Sequence, residues 1–226
     1  MMKVNNRSER IKRITATAMF CAMAYVCAVF VKVPVQFLTL DVKDSVIVLC
    51  TLLFGPIAGG TVAIIVPVLE FLTVSATGVY GLIMNVLSSM TFAMITGLIY
   101  RYKKSMTGAI IGLVAGVCSV TSVMLLANLF ITPYYLGGTV AQVAAMIPKI
   151  LLPFNLVKAV LNAAIVLLFY KPLSKMLKRM RVLRSEKKME ESLQTEKGNA
   201  RTVVISIVAA VIITVSLLVI FLVLRK

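Results

Sequence analysis

The chain has 226 residues, 60% of them hydrophobic, with a mean hydropathy of +1.00. Soluble domains are about 45–50% apolar, so this composition excludes a soluble globular protein and points to an integral membrane protein. Seventeen of the 24 Lys and Arg residues lie in the N-terminal tail, between Lys171 and Arg201, and at the last two positions. The net charge of +16 therefore reads as flanking charge that sets membrane topology and touches anionic lipid, with no nucleic acid involved.

Residues 1–13 hold five bases and one acid, Glu9, and are expected to form a cytoplasmic basic tail. The first apolar run spans about Ile14–Val31 and continues through the weak cleavage-like Ala22-Met23-Ala24, so it reads as a retained helix. Ala18 and Ala22 are four apart, as are Ala24 and Ala28. That spacing lets a second helix approach closely, either within this chain or from a partner.

Residues 32–44 read as a first outer loop carrying Asp41 and Asp44, two of only three acids between Ile14 and Tyr170. Asp44 is placed to cap the next helix, because an Asp side chain accepts the free N–H groups of a first turn. Asp41 has no such simple role. The next run, Ser45–Phe54, covers about 15 Å, half of a hydrocarbon core. Gly55-Pro56 ends it, and the thin bundle above it leaves a gap into which the Asp41 loop can fold.

A third run, Ile57–Leu72, ends near Glu70, and a glycine-punctuated loop leads to a fourth, about Leu82–Tyr100, with Asn85 near its outer end. Arg101, Lys103 and Lys104 mark the cytoplasmic side. A fifth run, about Met106–Ile131, brings Asn128 to its outer end ahead of Pro133-Tyr134-Tyr135. The sixth, Pro148–Tyr170, contains a lysine, which costs roughly 2.5–3.5 kcal/mol at a membrane midplane. Asn155, Lys158 and Asn162 follow i, i+3, i+7 spacing and share one helix face, which must point into protein or a cavity. If Pro153 opens this helix at its first turn, Lys158 lies about 7–8 Å below the start, in the outer half. Asn162, a turn deeper, reads as packing.

Beyond Tyr170 the chain turns charged. Residues 175–201 read as a cytoplasmic linker, and 202–224 as an additional transmembrane helix, which would place the C-terminus outside. There is no histidine, and no Walker A, H-E-x-x-H or G-x-S-x-G pattern, so an enzyme or an ATPase is not expected. The four cysteines sit in apolar runs without C-x-x-C spacing and read as small buried hydrophobes. Amide groups around a single lysine suit a polar, ring-shaped ligand with carbonyl acceptors.

Several short motifs, in this order and spacing, resemble the substrate-binding S component of an energy-coupling factor (ECF) transporter of the riboflavin type. They are Ala18-xxx-Ala22, Leu40-Asp41-Val42-Lys43-Asp44, Phe54-Gly55-Pro56-Ile57-Ala58-Gly59, Asn85, Asn128-Leu129-Phe130-Ile131-Thr132-Pro133-Tyr134-Tyr135, and Pro153-Phe154-Asn155-Leu156-Val157-Lys158. The resemblance implies an all-α, polytopic membrane bundle. It would comprise a six-helix substrate-binding domain over residues 14–174 plus the extra C-terminal transmembrane helix. It implies a multi-pass cell-membrane protein that captures riboflavin as transported ligand, with no cofactor, and docks on a transmembrane coupling subunit carrying two ATPase subunits. Ala18 and Ala22 would meet the coupling subunit. Asn128, Asn155 and Lys158 would hold the flavin's heteroatom edge, with Leu40, Phe154 and Tyr134 on its faces and Asn85, Asp41 and Glu70 nearby. The loop around Leu40 and Asp41 would close over the ligand. The chain departs from many relatives in lacking an acid just before Asn85, in having Glu70 where a lysine is common, and in the run over 202–224. Another vitamin as ligand, a stand-alone secondary transporter and a membrane scaffold are the alternatives.

Overall fold

A computed structural model describes residues 6–75 and 77–179. Of the expected linker over 175–201, the first five residues continue the last described helix; the rest of it and the helix over 202–224 lie outside the described residues. The elements run α1 (Asn6–Phe30), β1 (Lys32–Val35), β2 (Leu38–Asp41), α2 (Lys43–Phe54), α3 (Pro56–Thr73), α4 (Gly78–Tyr102), α5 (Met106–Leu136), α6 (Val140–Met146), a π-helical stretch (Ile147–Leu151) and α7 (Leu152–Arg179). Five segments among the described residues are long and apolar enough to cross a membrane: 10–30, 56–73, 78–102, 106–136 and 140–175. At twelve residues, α2 is too short to be a sixth.

That short helix is the axis of the bundle. Nearly all of α2 is buried, from Lys43 to Phe54, and it packs on α1, α3, α4 and α7. Its apolar residues Ile47, Val48 and Cys50 join Phe20 and Ala24 of α1, Val62 and Val66 of α3 and Phe92 of α4 in one core. Polar caps would be expected to start it. Instead Val42 occupies the N-cap position without a side-chain bond, and Asp44 lies inside the first turn. The capping role expected for Asp44 is therefore replaced: its Oδ1 accepts from the Ser89 hydroxyl of α4 at 2.5 Å. At the other end of α2 the Arg13 guanidinium donates to the Phe54 carbonyl, a cation at a helix C-terminus, where it is favourable.

Close approach between α4 and α5 rests on missing side chains. The Thr96 hydroxyl donates to the Gly112 carbonyl at 3.2 Å, and a Cβ on Gly112 would stand 2.9 Å from the Thr96 carbonyl oxygen. On α1, Ala16, Phe20, Ala24 and Ala28 are buried at four-residue spacing, whereas Ala18 and Ala22 are exposed. The two alanine pairs thus separate, one packing inward and one facing away from the bundle.

Two segments differ from the expected layout. The first outer loop is a two-stranded antiparallel hairpin, pairing Lys32 with Asp41 and Val35 with Leu38. Its tight turn puts Gln36 at φ 56, without a glycine, and Pro34 fits because one face of a two-stranded ribbon has no ladder partner. The other difference concerns Pro153, which does not open a helix. The chain is helical without a break from Val140, eighteen positions before Lys158. Pro148 and Pro153 each withdraw an N–H from the ladder, and the turn between them widens to i→i−5 bonding, with Leu152 N–H donating to the Ile147 carbonyl. The depth of Lys158 is therefore set by the hairpin it touches and not by a helix start at Pro153.

All hairpin-side ends meet at one pole: the C-termini of α1, α3 and α5, and the N-termini of α2, α4 and α6. The opposite pole carries Arg10, Lys12, Arg13, Arg101, Lys103, Lys104, Lys171 and Lys175.

Candidate functional site

Burying α2's first turn in an apolar bundle makes its charges expensive unless they are paired. Lys43 is fully buried and Asp41 and Asp44 are each 3% exposed. The hairpin and two neighbouring helices supply the partners. Lys158 of α7 donates to Asp41 Oδ2 at 2.8 Å and to the Thr39 carbonyl at 3.2 Å. Lys43 lies 3.6 Å from the same Asp41 oxygen and 2.5 Å from Glu70 Oε2 of α3. Asn85 Nδ2 of α4 donates to Glu70 Oε2 at 3.3 Å. Asp41 thus links two lysines, one on each side.

Desolvation raises the Asp41 carboxyl. The nearby charges of Lys158 and Lys43 and the bond from Lys158 outweigh it, so its pKa falls below the ordinary aspartate value. Its other oxygen, Oδ1, is buried without a hydrogen-bond partner among the described residues.

Asn162 has a larger part than packing. Its Nδ2 donates at 3.0 Å to both the Asp41 and the Lys158 carbonyls, and its Oδ1 accepts from Ser45 N–H at 2.7 Å. One fully buried amide therefore joins the hairpin's end, the start of α2 and α7. Beside it lies a small cavity lined by Asp44, Ser88, Phe92, Val120, Asn155, Lys158, Ala159 and Asn162. At about 10 Å³ it has room for a single water.

The expected site residues fall into three groups. Lys158 and Asn155 line the cavity, and Asp41 reaches it through Lys158. Glu70 and Asn85 form the adjoining group around Lys43. Asn128 is buried but faces its own helix, donating to the Met124 carbonyl at 2.6 Å and accepting from Thr132 at 2.8 Å. Leu40 is buried, Phe154 half-buried, and Tyr134 77% exposed. Asn155 Nδ2 bonds the Leu151 carbonyl at 2.8 Å, at the end of the π-helical stretch.

Sequence reasoning missed Lys43, which reads as one more loop base, and Ser88, which reads as a generic helix serine. The signal for Lys43 was present: a lysine two positions before a half-length apolar run, with Asp41 and Asp44 on either side of it, has little water to reach.

Residues 12–170 match the family described as ECF transporter, substrate-specific component. The riboflavin transporter RibU of Staphylococcus aureus (strain TCH60) is 31% identical over 182 residues, covering 76% of this chain and 95% of the relative. The riboflavin transporter FmnP of Bacillus subtilis (strain 168) is 24% identical over 176 residues, covering 71% and 91%. A solved structure of the S component of a bacterial ECF transporter superposes with a TM-score of 0.65 at 32% identity, covering 75% of this chain and 99% of that one.

Proposed function

The chain belongs to the family of ECF transporter substrate-specific components, and from that premise we propose that it captures riboflavin at the outer face of the cell membrane. The observation that carries this is the part-buried ammonium of Lys158 together with the Asn155 amide in one cavity lining, in a chain whose relatives are named riboflavin transporters. Flavin carbonyls accept hydrogen bonds, and Lys158 offers only donors. Asn155 Oδ1 has no partner among the described residues and suits the ring N–H between the two carbonyls.

The basic pole faces the cytoplasm by the positive-inside rule, which turns the hairpin outward. A cavity of about 10 Å³ is far below the ~300 Å³ or more typical of small-molecule sites. Ligand entry therefore displaces the hairpin, the element held to α7 by Lys158 and Asn162. The flavin carbonyl then takes the place of Asp41 at the lysine, and Leu40 and Phe154 cover the ring faces. Asn128 joins the ligand by exchanging its bonds within α5. Energy for release comes from ATPase subunits on a coupling subunit, which docks on the exposed Ala18 and Ala22 of α1.

Titration of the purified protein with riboflavin, followed by quenching of flavin fluorescence, tests the proposal. Saturable binding with a yellow protein–ligand complex is the expected result. Absence of saturable riboflavin binding by the folded protein would overturn it and favour another vitamin.

A further inference from the structure

Five ionisable side chains crowd the start of α2, and their charges do not balance. Asp41 and Asp44 are each 3% exposed, and the side chains of Lys43, Glu70 and Lys158 are 1%, 12% and 13% exposed. With all five ionised, two positive charges would face three negative ones in an enclosed cluster. An uncompensated charge in an apolar interior is so costly that the group gives up its charge instead. The bonding identifies the carboxyl. Asp41 has Lys158 at 2.8 Å and Lys43 at 3.6 Å. Glu70 has Lys43 at 2.5 Å and the Asn85 amide at 3.3 Å. Asp44 has no ion pair among the described residues, and its Oδ1 accepts from the neutral Ser89 hydroxyl.

The surroundings of Asp44 bring no further cation. Ser88 and Phe92 of α4 and Val120 of α5 line the same cavity and are uncharged. Lys158 lines it too, but its ammonium is held by Asp41 and the Thr39 carbonyl. Lys32, opposite Asp41 across the hairpin, is exposed, and α1 faces Asp41 with the Cys27 thiol. Both aspartates lie outside the five spanning segments. Burial and the Asp41 charge push the Asp44 carboxyl up, against the pull of Lys158, Lys43 and the Ser89 bond, whereas Asp41 is drawn down. Two neighbouring carboxyls driven apart in this way behave as one acid and one carboxylate. The dipole at the start of α2 favours the anion, but that effect is small beside the cost of an uncompensated buried charge. We propose that Asp44 carries a proton at neutral pH, so that it does not compete with Asp41 for Lys158. Two lysines then serve two carboxylates, and Lys158 stays free to be taken over by a flavin carbonyl. An ionised Asp44, lining the same cavity, would hold that ammonium in a second ion pair. The effect on the ligand rests on the riboflavin reading above; the proton does not.

Infrared spectra of the full-length protein in a maltoside detergent, which has no ester carbonyl, test the proton directly. A protonated carboxyl has a carbonyl band well apart from the carboxylate bands. Wild type labelled with carboxyl-carbon-13 aspartate should show one such band at neutral pH, displaced by the label. In Asp44→Glu the band should remain but lose its response to the label, and in Asp44→Asn it should vanish. Absence of the band in wild type, or a label-sensitive band that survives in Asp44→Glu, overturns the proposal. Should Asp44→Glu not fold, melting temperature decides. A raised carboxyl contributes stability that is lost as pH rises through its folded value, so wild type should lose stability between about pH 7 and 9 and the neutral mimic Asp44→Asn should not. Parallel profiles overturn the proposal. Over the same range riboflavin affinity of wild type should fall at least about tenfold, one hydrogen bond to a charged group, with a flat profile in Asp44→Asn. A fall shared by both proteins would refute the hold of Asp44 over Lys158. Failure of wild type to bind riboflavin at any pH refutes the riboflavin reading and leaves the proton to the infrared band.

Discussion

Lys158 and Asp41 are 117 positions apart in the chain and meet at 2.8 Å, joining α7 to the open end of the hairpin, where Asp41 pairs with Lys32. The pair is nearly enclosed, with side-chain exposures of 13% and 3%. An ion pair there is not a strong source of stability by itself, because desolvation offsets much of the attraction. Its value is conditional: it holds the hairpin down while leaving the lysine able to exchange partners.

Two substitutions separate holding from binding. Lys158→Met removes the donor proposed for the flavin carbonyl and should weaken riboflavin binding about 10- to 150-fold, the equivalent of a hydrogen bond to a charged group. Asp41→Asn loosens the hairpin but leaves Lys158 free to donate, so it should cost clearly less. Fluorescence titration of both variants reads the difference. Equal losses would mean that Lys158 acts only through the hairpin.

The Lys43–Glu70 pair, at 2.5 Å and with Lys43 almost wholly enclosed, is a structural counterpart. Lys43→Met strands Glu70 and leaves Asp41 with one lysine instead of two, a change that costs roughly 3–5 kcal/mol when a buried pair loses one member. Adding Glu70→Gln removes the stranded charge and should recover a large part of that loss. Thermal unfolding in detergent of the two single variants and the double variant gives the coupling, expected at about 1–3 kcal/mol. Strict additivity would show that Glu70 has another partner of equal weight.

Much of this arrangement was legible in the sequence because membrane burial makes polarity conspicuous. The face shared by Asn155, Lys158 and Asn162 had to point inward, and it does. The short second run announced a gap, and Leu40 and Asp41 fill it. What stayed hidden depended on long-range pairing. Nothing local told that Lys158 would meet Asp41 and Lys43 would meet Glu70, since either acid satisfies either lysine. The hairpin was obscured by Pro34 and by a turn without glycine, with Gln36 accepting a positive φ instead. The unbroken helix above Pro153 was obscured by the proline itself, a residue that both opens helices and kinks them.

Acid titration should report on the same hairpin. The folded-state pKa of Asp41 is lowered. A lowered value means the pair contributes stability above the unfolded pKa and loses it as pH falls through the folded value. Hydrogen exchange across residues 32–41 is therefore expected to be as well protected at about pH 5 as at pH 8, once corrected for intrinsic rates, and to lose protection below about pH 4. Asp41→Asn should show weaker protection throughout and a smaller fall on acidification. Protection that already declines between pH 8 and 6 in wild type would place the controlling group elsewhere.

The alanine pairs of α1 give a test that leaves the ligand site untouched. Ala24 and Ala28 are fully buried against the bundle, so enlarging either forces α1 away from its neighbours, at about 1–3 kcal/mol. Ala18 and Ala22 are exposed, and a leucine there meets lipid in the isolated protein. Ala18→Leu with Ala22→Leu should therefore leave the melting temperature and riboflavin affinity near wild type. The same two leucines stand where a partner helix would need to approach closely. They should abolish co-purification with the proposed coupling and ATPase subunits, and with it uptake of labelled riboflavin by cells. Wild-type recovery of the complex by the double variant would move the docking surface to another face of the bundle.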